Sequence, residues 1–142
     1  MEWLIFAVVT AVCYGFFDFF VKKASGNIDD GLGAMVINLF AFLVMLVYVL
    51  YEKVVRHSEL NFSREGMLWS IAAGVIVGLL SITFIKMFAS GTNLSVGIVI
   101  VRVGAVLVGV ALAVFILHEK LTVAQIIGFI MAIAGLGLVL IK

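Results

Sequence analysis

The sequence contains no proline, a single cysteine and two histidines, and each scarcity excludes a class of structure or chemistry. Without proline, helices have to bend at glycines or at their ends. The lone Cys13 excludes an intramolecular disulfide, and we expect it to serve packing. His57 and His118 lie in predicted connections without paired ligand spacing, so we predict neither a metal centre nor a cofactor.

Charged residues are also scarce. They make up 12% of the 142 residues, and hydrophobic residues make up 65%, whereas soluble domains average about 25% and about 45–50%. A soluble domain of this size cannot bury so much apolar surface, so the composition predicts an integral membrane protein. The net charge of +1 does not favour a nucleic-acid partner. The chain has no phosphate-binding loop and no nucleophile elbow, so we do not expect an enzyme.

Five apolar stretches have the length that a bilayer requires, about 17–25 residues. Backbone groups in lipid must be satisfied within each segment, so the stretches are predicted to be helices in one all-α domain, residues 1–142. The predicted spans are Trp3–Val21, Gly33–Tyr51, Met67–Ala89, Ser95–Leu117 and Leu121–Ile141. An odd number of spans puts the termini on opposite sides. Two copies inserted oppositely would therefore form the ten-helix inverted repeat that many secondary transporters build within one chain.

Basic residues give this chain almost no preferred orientation. On side A, the side of the N-terminus, the connections carry four: Lys53, Arg56, Arg64 and Lys120. On side B they carry three, Lys22, Lys23 and Lys142, or five if Lys86 and Arg102 near that end of their spans are included. Because orientation follows the Lys and Arg bias of short loops, either dual insertion or one fixed orientation is compatible with these totals. The absence of targeting segments favours a prokaryotic plasma membrane.

Polar side chains within the predicted spans mark the candidate binding site, because ionisable groups are costly in lipid. Helix 1 carries Tyr14 and Asp18 in one stripe, and helix 2 carries Asn38. Helices 3 and 4 contribute Lys86 and Arg102. We expect these five residues to bind substrate in a cavity lined by helices 1 to 4, with helix 5 packing or facing lipid.

Each candidate also has a structural alternative. Asp18 precedes Lys22 by four residues, and the alternative is that it only pairs with Lys22 on the helix surface. Lys86 is near enough to the end of its span to extend to the membrane surface. Arg102 would hold helices together if it paired with Asp18 or with carbonyl oxygens, and Tyr14 would only pack.

Small residues indicate where helices approach closely in lipid. Gly74 and Gly78 form a GxxxG motif in helix 3, and small residues recur at similar spacing in helices 4 and 5. These motifs favour close packing within the bundle or between two copies. Thr122 and Gln125 have the spacing of a capping box at the start of helix 5.

The order of residues around the last two helices resembles that of a known family. The segment Leu117–Thr122, followed by Gln125, Gly128 and Gly135, resembles the last helix pair of an EamA-type domain of the drug/metabolite transporter superfamily. Tyr14-Gly15 and the segment Lys86–Gly91 are similar to parts of its first and third helices. The resemblance implies a five-helix half of a transporter, whose longer relatives fuse two halves of inverted topology. Some short relatives pair with a second chain.

Our leading hypothesis is a small secondary transporter that works in the bilayer as an antiparallel homodimer by alternating access. The paired bases Lys86 and Arg102 favour a carboxylate-bearing solute such as an amino acid, while Asp18 would bind a substrate amine or a coupling proton. An alternative is an exporter of lipophilic cations that uses Asp18. Two others are a scaffold subunit that transports nothing and one half of a heterodimeric transporter.

Overall fold

A computed structural model describes residues 2–57, 59 and 61–141, and over those residues it consists of five α-helices. They are α1 (Glu2–Ala24), α2 (Asp30–Val54), α3 (Arg64–Ala89), α4 (Leu94–Phe115) and α5 (Val123–Leu140). All five predicted helices are confirmed. The first three extend beyond the predicted apolar spans because polar residues at their ends continue the helical backbone, as Arg64 does in α3.

The first four helices have the length and apolar composition needed to cross a bilayer. Helix α5 is apolar but has only 18 residues, which gives a length of about 27 Å at 1.5 Å per residue. Helices α1 to α4 therefore meet the expectation of membrane-spanning helices in length and composition, and α5 is the shortest of the five.

The helix ends are fixed by side chains and by one unusual backbone conformation. Asp29 accepts hydrogen bonds from the backbone N–H groups of Gly31 and Leu32 at 3.0 and 3.1 Å, which caps α2. The predicted capping box of α5 is confirmed, because Thr122 and Gln125 bond reciprocally. Beyond α4, His118 adopts a φ of 54°, the left-handed conformation that commonly ends helices.

The chain divides into two compact units, Met1–Gly91 and Thr92–Lys142. In the first unit α3 packs against both α1 and α2, which makes it the central helix. In the second unit α4 packs against α5.

The core of the first unit lies at one end, where α1 finishes, α2 begins and α3 finishes. We call this the packed end and define it by its buried apolar residues, Val21, Ala34, Phe84, Ile85 and Phe88. The rings of Phe17 and Phe84 are stacked with centroids 6.1 Å apart, and Phe88 meets Phe84 edge to face at 5.0 Å. Aromatic packing therefore joins α1 to the last two turns of α3.

Helix α2 reaches this core through a glycine. A Cβ added at Gly33 would lie 3.0 Å from the Cγ2 atom of Ile28 and 3.2 Å from the Cδ1 atom of Ile85. Both distances are shorter than ordinary van der Waals contact. Glycine at this position therefore allows α2 to approach α3 closely, as small residues do between membrane helices.

The other small-residue motifs do not mediate such contacts within the chain. An added Cβ at Gly74 or Gly78 in α3 would meet no atom of the described chain within 4 Å, and the same holds for Gly109, Gly128 and Gly135 in α4 and α5. The motifs predict close packing either within the bundle or between two copies, and at these glycines the described chain shows no close contact. No described residue covers these glycines closely, and their packing against a second copy stays a prediction.

Candidate functional site

Two polar side chains are buried in the packed end, and both belong to helices that meet there. Asp18 of α1 is 2% exposed and Ser81 of α3 is 5% exposed. Every buried side-chain nitrogen and oxygen in the described residues has a hydrogen-bond partner. Asp18 follows Phe17 in the turn that stacks on α3, so its carboxylate lies inside the helix bundle rather than on its surface.

Asn38 of α2 connects to Ser81 through a chain of hydrogen bonds. The Nδ2 atom of Asn38 donates to the carbonyl oxygen of Ala34 at 2.8 Å and to the Oγ atom of Ser81 at 3.0 Å. The hydroxyl of Ser81 in turn donates to the carbonyl oxygen of Val77 at 2.8 Å. These bonds fix the orientation of the half-buried amide and link α2 to α3 at membrane depth.

Lys22 links the end of α1 to the end of α3. Its ammonium donates to the carbonyl oxygen of Phe88 at 3.3 Å and lies 5.5 Å from the centre of the Phe88 ring. Carbonyl groups in the last turn of a helix lack intrahelical partners and carry partial negative charge, so a cation stabilises them. Lys22 therefore closes the packed end by joining the last turn of α1 to the last turn of α3.

Tyr14 lies one turn before Asp18 but in a different environment. Its side chain is 49% exposed and lines a shallow depression of about 270 Å³ together with Thr10, Cys13 and Phe17. The stripe that the sequence predicted on α1 is thus divided into an accessible part at Tyr14 and a buried part at Asp18.

Lys86 and Arg102 are not among the buried polar residues. Lys86 is exposed although its neighbour Ile85 is fully buried. Thr83 and Ser90, polar residues near Lys86 in the sequence, each donate to carbonyl oxygens of α3. Arg102 is half-buried in α4 and belongs to the second unit. Of the five predicted site residues, the first unit holds Tyr14, Asp18, Asn38 and Lys86.

Two polar residues with defined contacts, Ser81 and Lys22, were not predicted as part of the site. Ser81, Phe84, Ile85 and Phe88 recur at i, i+3, i+4 and i+7, the spacing of one helix face. That spacing was the available signal, but it is weak where nearly every residue is apolar. Lys22 was interpreted as a surface base because it follows the apolar stretch directly.

A groove runs along α2 and α3 beside Asn38. Its volume is about 470 Å³, and the residues that line it are Gly31, Ala34, Met35, Asn38, Gly74, Val75, Gly78, Leu79 and Ile82. The groove exists because Gly74 and Gly78 present no side chain on this face of α3. Its walls are apolar apart from the amide of Asn38.

The described polar side chains are few, and they lie among apolar ones. No cluster of His, Cys, Asp or Glu that could hold a metal ion occurs in the described part of the chain. The polar side chains are instead placed singly among apolar ones, which is how ligand sites fix orientation and specificity.

Comparison with known proteins identifies the family. The model of the EamA-like transporter family matches residues 1–141, almost the whole chain. Searches of curated proteins and of solved structures returned no match. The family match agrees with the apolar helices and with the resemblance of the last helix pair. The chain therefore belongs to the EamA-like transporter family and is a membrane transporter of the drug/metabolite transporter superfamily.

Proposed function

We propose that this transporter moves small polar metabolites that bear a carboxylate, such as amino acids, and that it works as an antiparallel homodimer by alternating access. The observation that carries the proposal is the uneven distribution of polar groups in the first unit. Asp18, Asn38 and Ser81 lie toward the packed end of its three helices. One copy therefore supplies polar groups toward one membrane surface, and an inverted copy would supply the same groups toward the other.

The length of α5 supports an odd number of crossings. Its 18 residues extend about 27 Å, close to the ~30 Å of a bilayer's hydrocarbon core. With five crossings, a second copy has to insert in the opposite orientation to generate an inverted repeat. The nearly equal numbers of basic residues in the two sets of connections permit that insertion. We place the protein in a prokaryotic plasma membrane.

The charges of the site favour an anionic group on the solute. Arg102 lies within α4, away from its ends, and Lys86 lies in the last turn of α3, as Lys22 and Lys53 do in α1 and α2. A dimer doubles both bases, and a carboxylate accepts bidentate hydrogen bonds from arginine. Asp18 is buried beside Phe17, so we assign it a coupling proton rather than direct contact with the solute.

The proposal is tested by flux into liposomes that contain the purified chain. A panel of carboxylate-bearing solutes is compared with amines that lack a carboxylate, and the Arg102→Ala variant is compared with Arg56→Ala. Arg56 is the matched control because it is a surface arginine outside the apolar part of α2. We expect Arg102→Ala to reduce carboxylate uptake by about 100-fold, the value of a charge-assisted contact of ~3 kcal/mol, and Arg56→Ala to leave it unchanged.

Other outcomes of this assay identify the competing functions. Carboxylate transport that survives Arg102→Ala would contradict the assignment of the solute. Efflux of lipophilic cations that depends on Asp18 would instead identify a cation exporter. If intact dimers move no solute, the chain serves as a scaffold, and if transport appears only with a second chain present, it is one half of a heterodimer.

A further inference from the structure

We infer that the groove between α2 and α3 is a binding subsite for a hydrogen-bond donor, which is an ammonium, amide or hydroxyl group. The Oδ1 atom of Asn38 accepts the hydrogen bond from this group. The inference rests on the proposed function in one respect: it takes the donor group to be part of the transported solute. Binding in the groove does not require transport, so the two claims fail independently.

The hydrogen bonds of the Asn38 side chain determine which of its atoms is left to accept from a ligand. A carbonyl oxygen can only accept, so the atom 2.8 Å from the carbonyl oxygen of Ala34 is the amide nitrogen. Ser81 uses its own hydrogen for Val77 and therefore accepts the second hydrogen of Asn38 at 3.0 Å. Both amide hydrogens are thus committed within the protein. The Oδ1 atom keeps two lone pairs, and none of the described residues donates to it.

The groove has the size and surroundings of a ligand site. Its volume of about 470 Å³ lies within the range of about 300–1,000 Å³ for small-molecule sites. Gly74 and Gly78 leave open space opposite Asn38, and Met35, with Leu79, contributes apolar walls. Because every buried side-chain oxygen of the described residues has a partner, the Oδ1 atom is an accessible acceptor, and apolar surroundings strengthen a hydrogen bond made to it. An entering donor group makes that hydrogen bond.

This geometry makes the subsite selective for donors over acceptors. A carboxylate or ether oxygen placed at the groove would face the Oδ1 atom without a hydrogen between the two oxygens. The amide cannot turn to offer its N–H groups without losing its hydrogen bonds to Ala34 and Ser81. The carboxylate of an amino-acid-like solute would therefore bind elsewhere, and its ammonium would occupy this groove. Ser81 acts as a positioning residue, because it holds the amide in the accepting orientation.

A matched pair of probes tests the subsite directly. Phenol carries an O–H donor, and anisole has the same ring with a methyl group in place of that hydrogen. Radiolabelled forms of both are measured for saturable binding to the full chain in lipid nanodiscs, with empty nanodiscs subtracted. We expect phenol to bind about tenfold more tightly than anisole, the value of one hydrogen bond. Equal affinities, or no saturable phenol binding, would overturn the inference.

Three variants locate the effect in the groove. Asn38→Leu keeps the volume but removes the acceptor, so phenol and anisole should bind equally. Gly78→Leu fills the groove and should abolish binding of both, whereas Gly128→Leu in α5 provides the matched control and should leave binding unchanged. A preference for phenol that survives Asn38→Leu contradicts the inference. A change from dimer to monomer in the Gly78→Leu variant also contradicts the inference, because that change would mean that a second copy of the chain occupies the groove.

Ser81→Ala distinguishes positioning from a merely structural role. The variant should stay folded, since alanine removes only one oxygen, but the freed amide can then rotate. We expect the tenfold preference for phenol to fall to about threefold through tighter anisole binding. An unchanged ratio in a folded Ser81→Ala protein would remove Ser81 from the account. Phenol binding without solute flux would leave the subsite standing and reject the transport proposal instead.

Discussion

The two ends of the three-helix unit differ far more in packing than in composition. At the packed end, residues from all three helices are buried, and Ile85 has no exposed surface. At the opposite end, which we call the open end, large apolar residues of the same helices are exposed: Trp3, Phe6, Tyr48, Tyr51 and Trp69. Apolar residues alone therefore do not produce a core in a membrane protein, because lipid solvates them as well as a neighbouring helix does. Shape and polar contacts decide which end packs.

Local features of the packed end explain the difference. Only a short connection separates α1 from α2, and Gly26 turns the chain there with a φ of 79°. The open end instead holds the longer connection between Val54 and Arg64. Gly33 and the Phe17–Phe84 stack then bring the three helices together near the shorter connection. The polar groups Asp18 and Ser81 are buried where this packing is tightest.

The largest loss of stability should follow from removing an aromatic ring from the packed end. Phe84 is buried and contacts the rings of both Phe17 and Phe88, so Phe84→Ala should lower the free energy of unfolding by about 3 kcal/mol. Phe6→Ala, at the open end, should cost about 0.5 kcal/mol or less. Unfolding in mixed micelles of increasing denaturing detergent measures both, and equal losses would refute the distinction between the two ends.

A second comparison uses glycine in two environments. Gly33→Leu introduces a side chain where a Cβ already lies 3.0 Å from Ile28, and it should destabilise the protein by about 2 kcal/mol. Gly74→Leu meets open space and should be neutral or stabilising, because leucine favours helix over glycine by about 0.8 kcal/mol. The same unfolding assay applies, and a destabilised Gly74→Leu would mean that its face is covered.

Adjacent lysines at the packed end provide a smaller contrast. Lys22→Met removes the ammonium that binds the carbonyl oxygen and ring of Phe88, and should cost about 1.5 kcal/mol. Lys23→Met removes only an exposed ammonium 6.0 Å from the Phe19 ring, with an expected loss of about 0.5 kcal/mol. Identical values for the two variants would show that Lys22 does not close the packed end.

The smallest effect is expected at the ion pair where α2 ends. Arg56 lies two residues beyond α2 with a side chain 65% exposed, and its guanidinium is 3.1 Å from the carboxylate of Glu52, whose side chain is 17% exposed. Because water screens the exposed guanidinium, Arg56→Ala should change the free energy of unfolding by about 0.3 kcal/mol. A double-mutant cycle with Glu52→Gln isolates the pair. A coupling energy above about 1 kcal/mol would show that this end is more ordered than its exposure indicates.

The sequence predicts the helices well because their signals are local. Long apolar stretches determine α1 to α4, and the Thr122–Gln125 capping box at the start of α5 follows from three-residue spacing alone. Ionisable residues such as Asp18 are also easy to recognise in an apolar segment. These features require no knowledge of how the helices meet.

The packed face was much harder to predict. Periodicity identifies a buried face when polar residues cover the other side, but α3 is apolar almost all round, so the stripe of Ser81, Phe84 and Phe88 does not stand out. The GxxxG motif favours Gly74 and Gly78 as contact points, whereas among the described residues Gly33 lies close to a side chain of α3. Residue types do not show which face of α3 packs or which glycine makes the close contact. Both depend on where short connections bring neighbouring helices together.

The most direct test of the antiparallel dimer is the orientation of the chain in the membrane. The native thiol is removed by Cys13→Ser, one cysteine is appended after residue 142, and intact cells are treated with a thiol reagent that cannot cross membranes. Our account predicts labelling of about half of the chains, because the nearly balanced basic residues allow both orientations. Labelling of all chains or of none, with full labelling after the membrane is permeabilised, would contradict it.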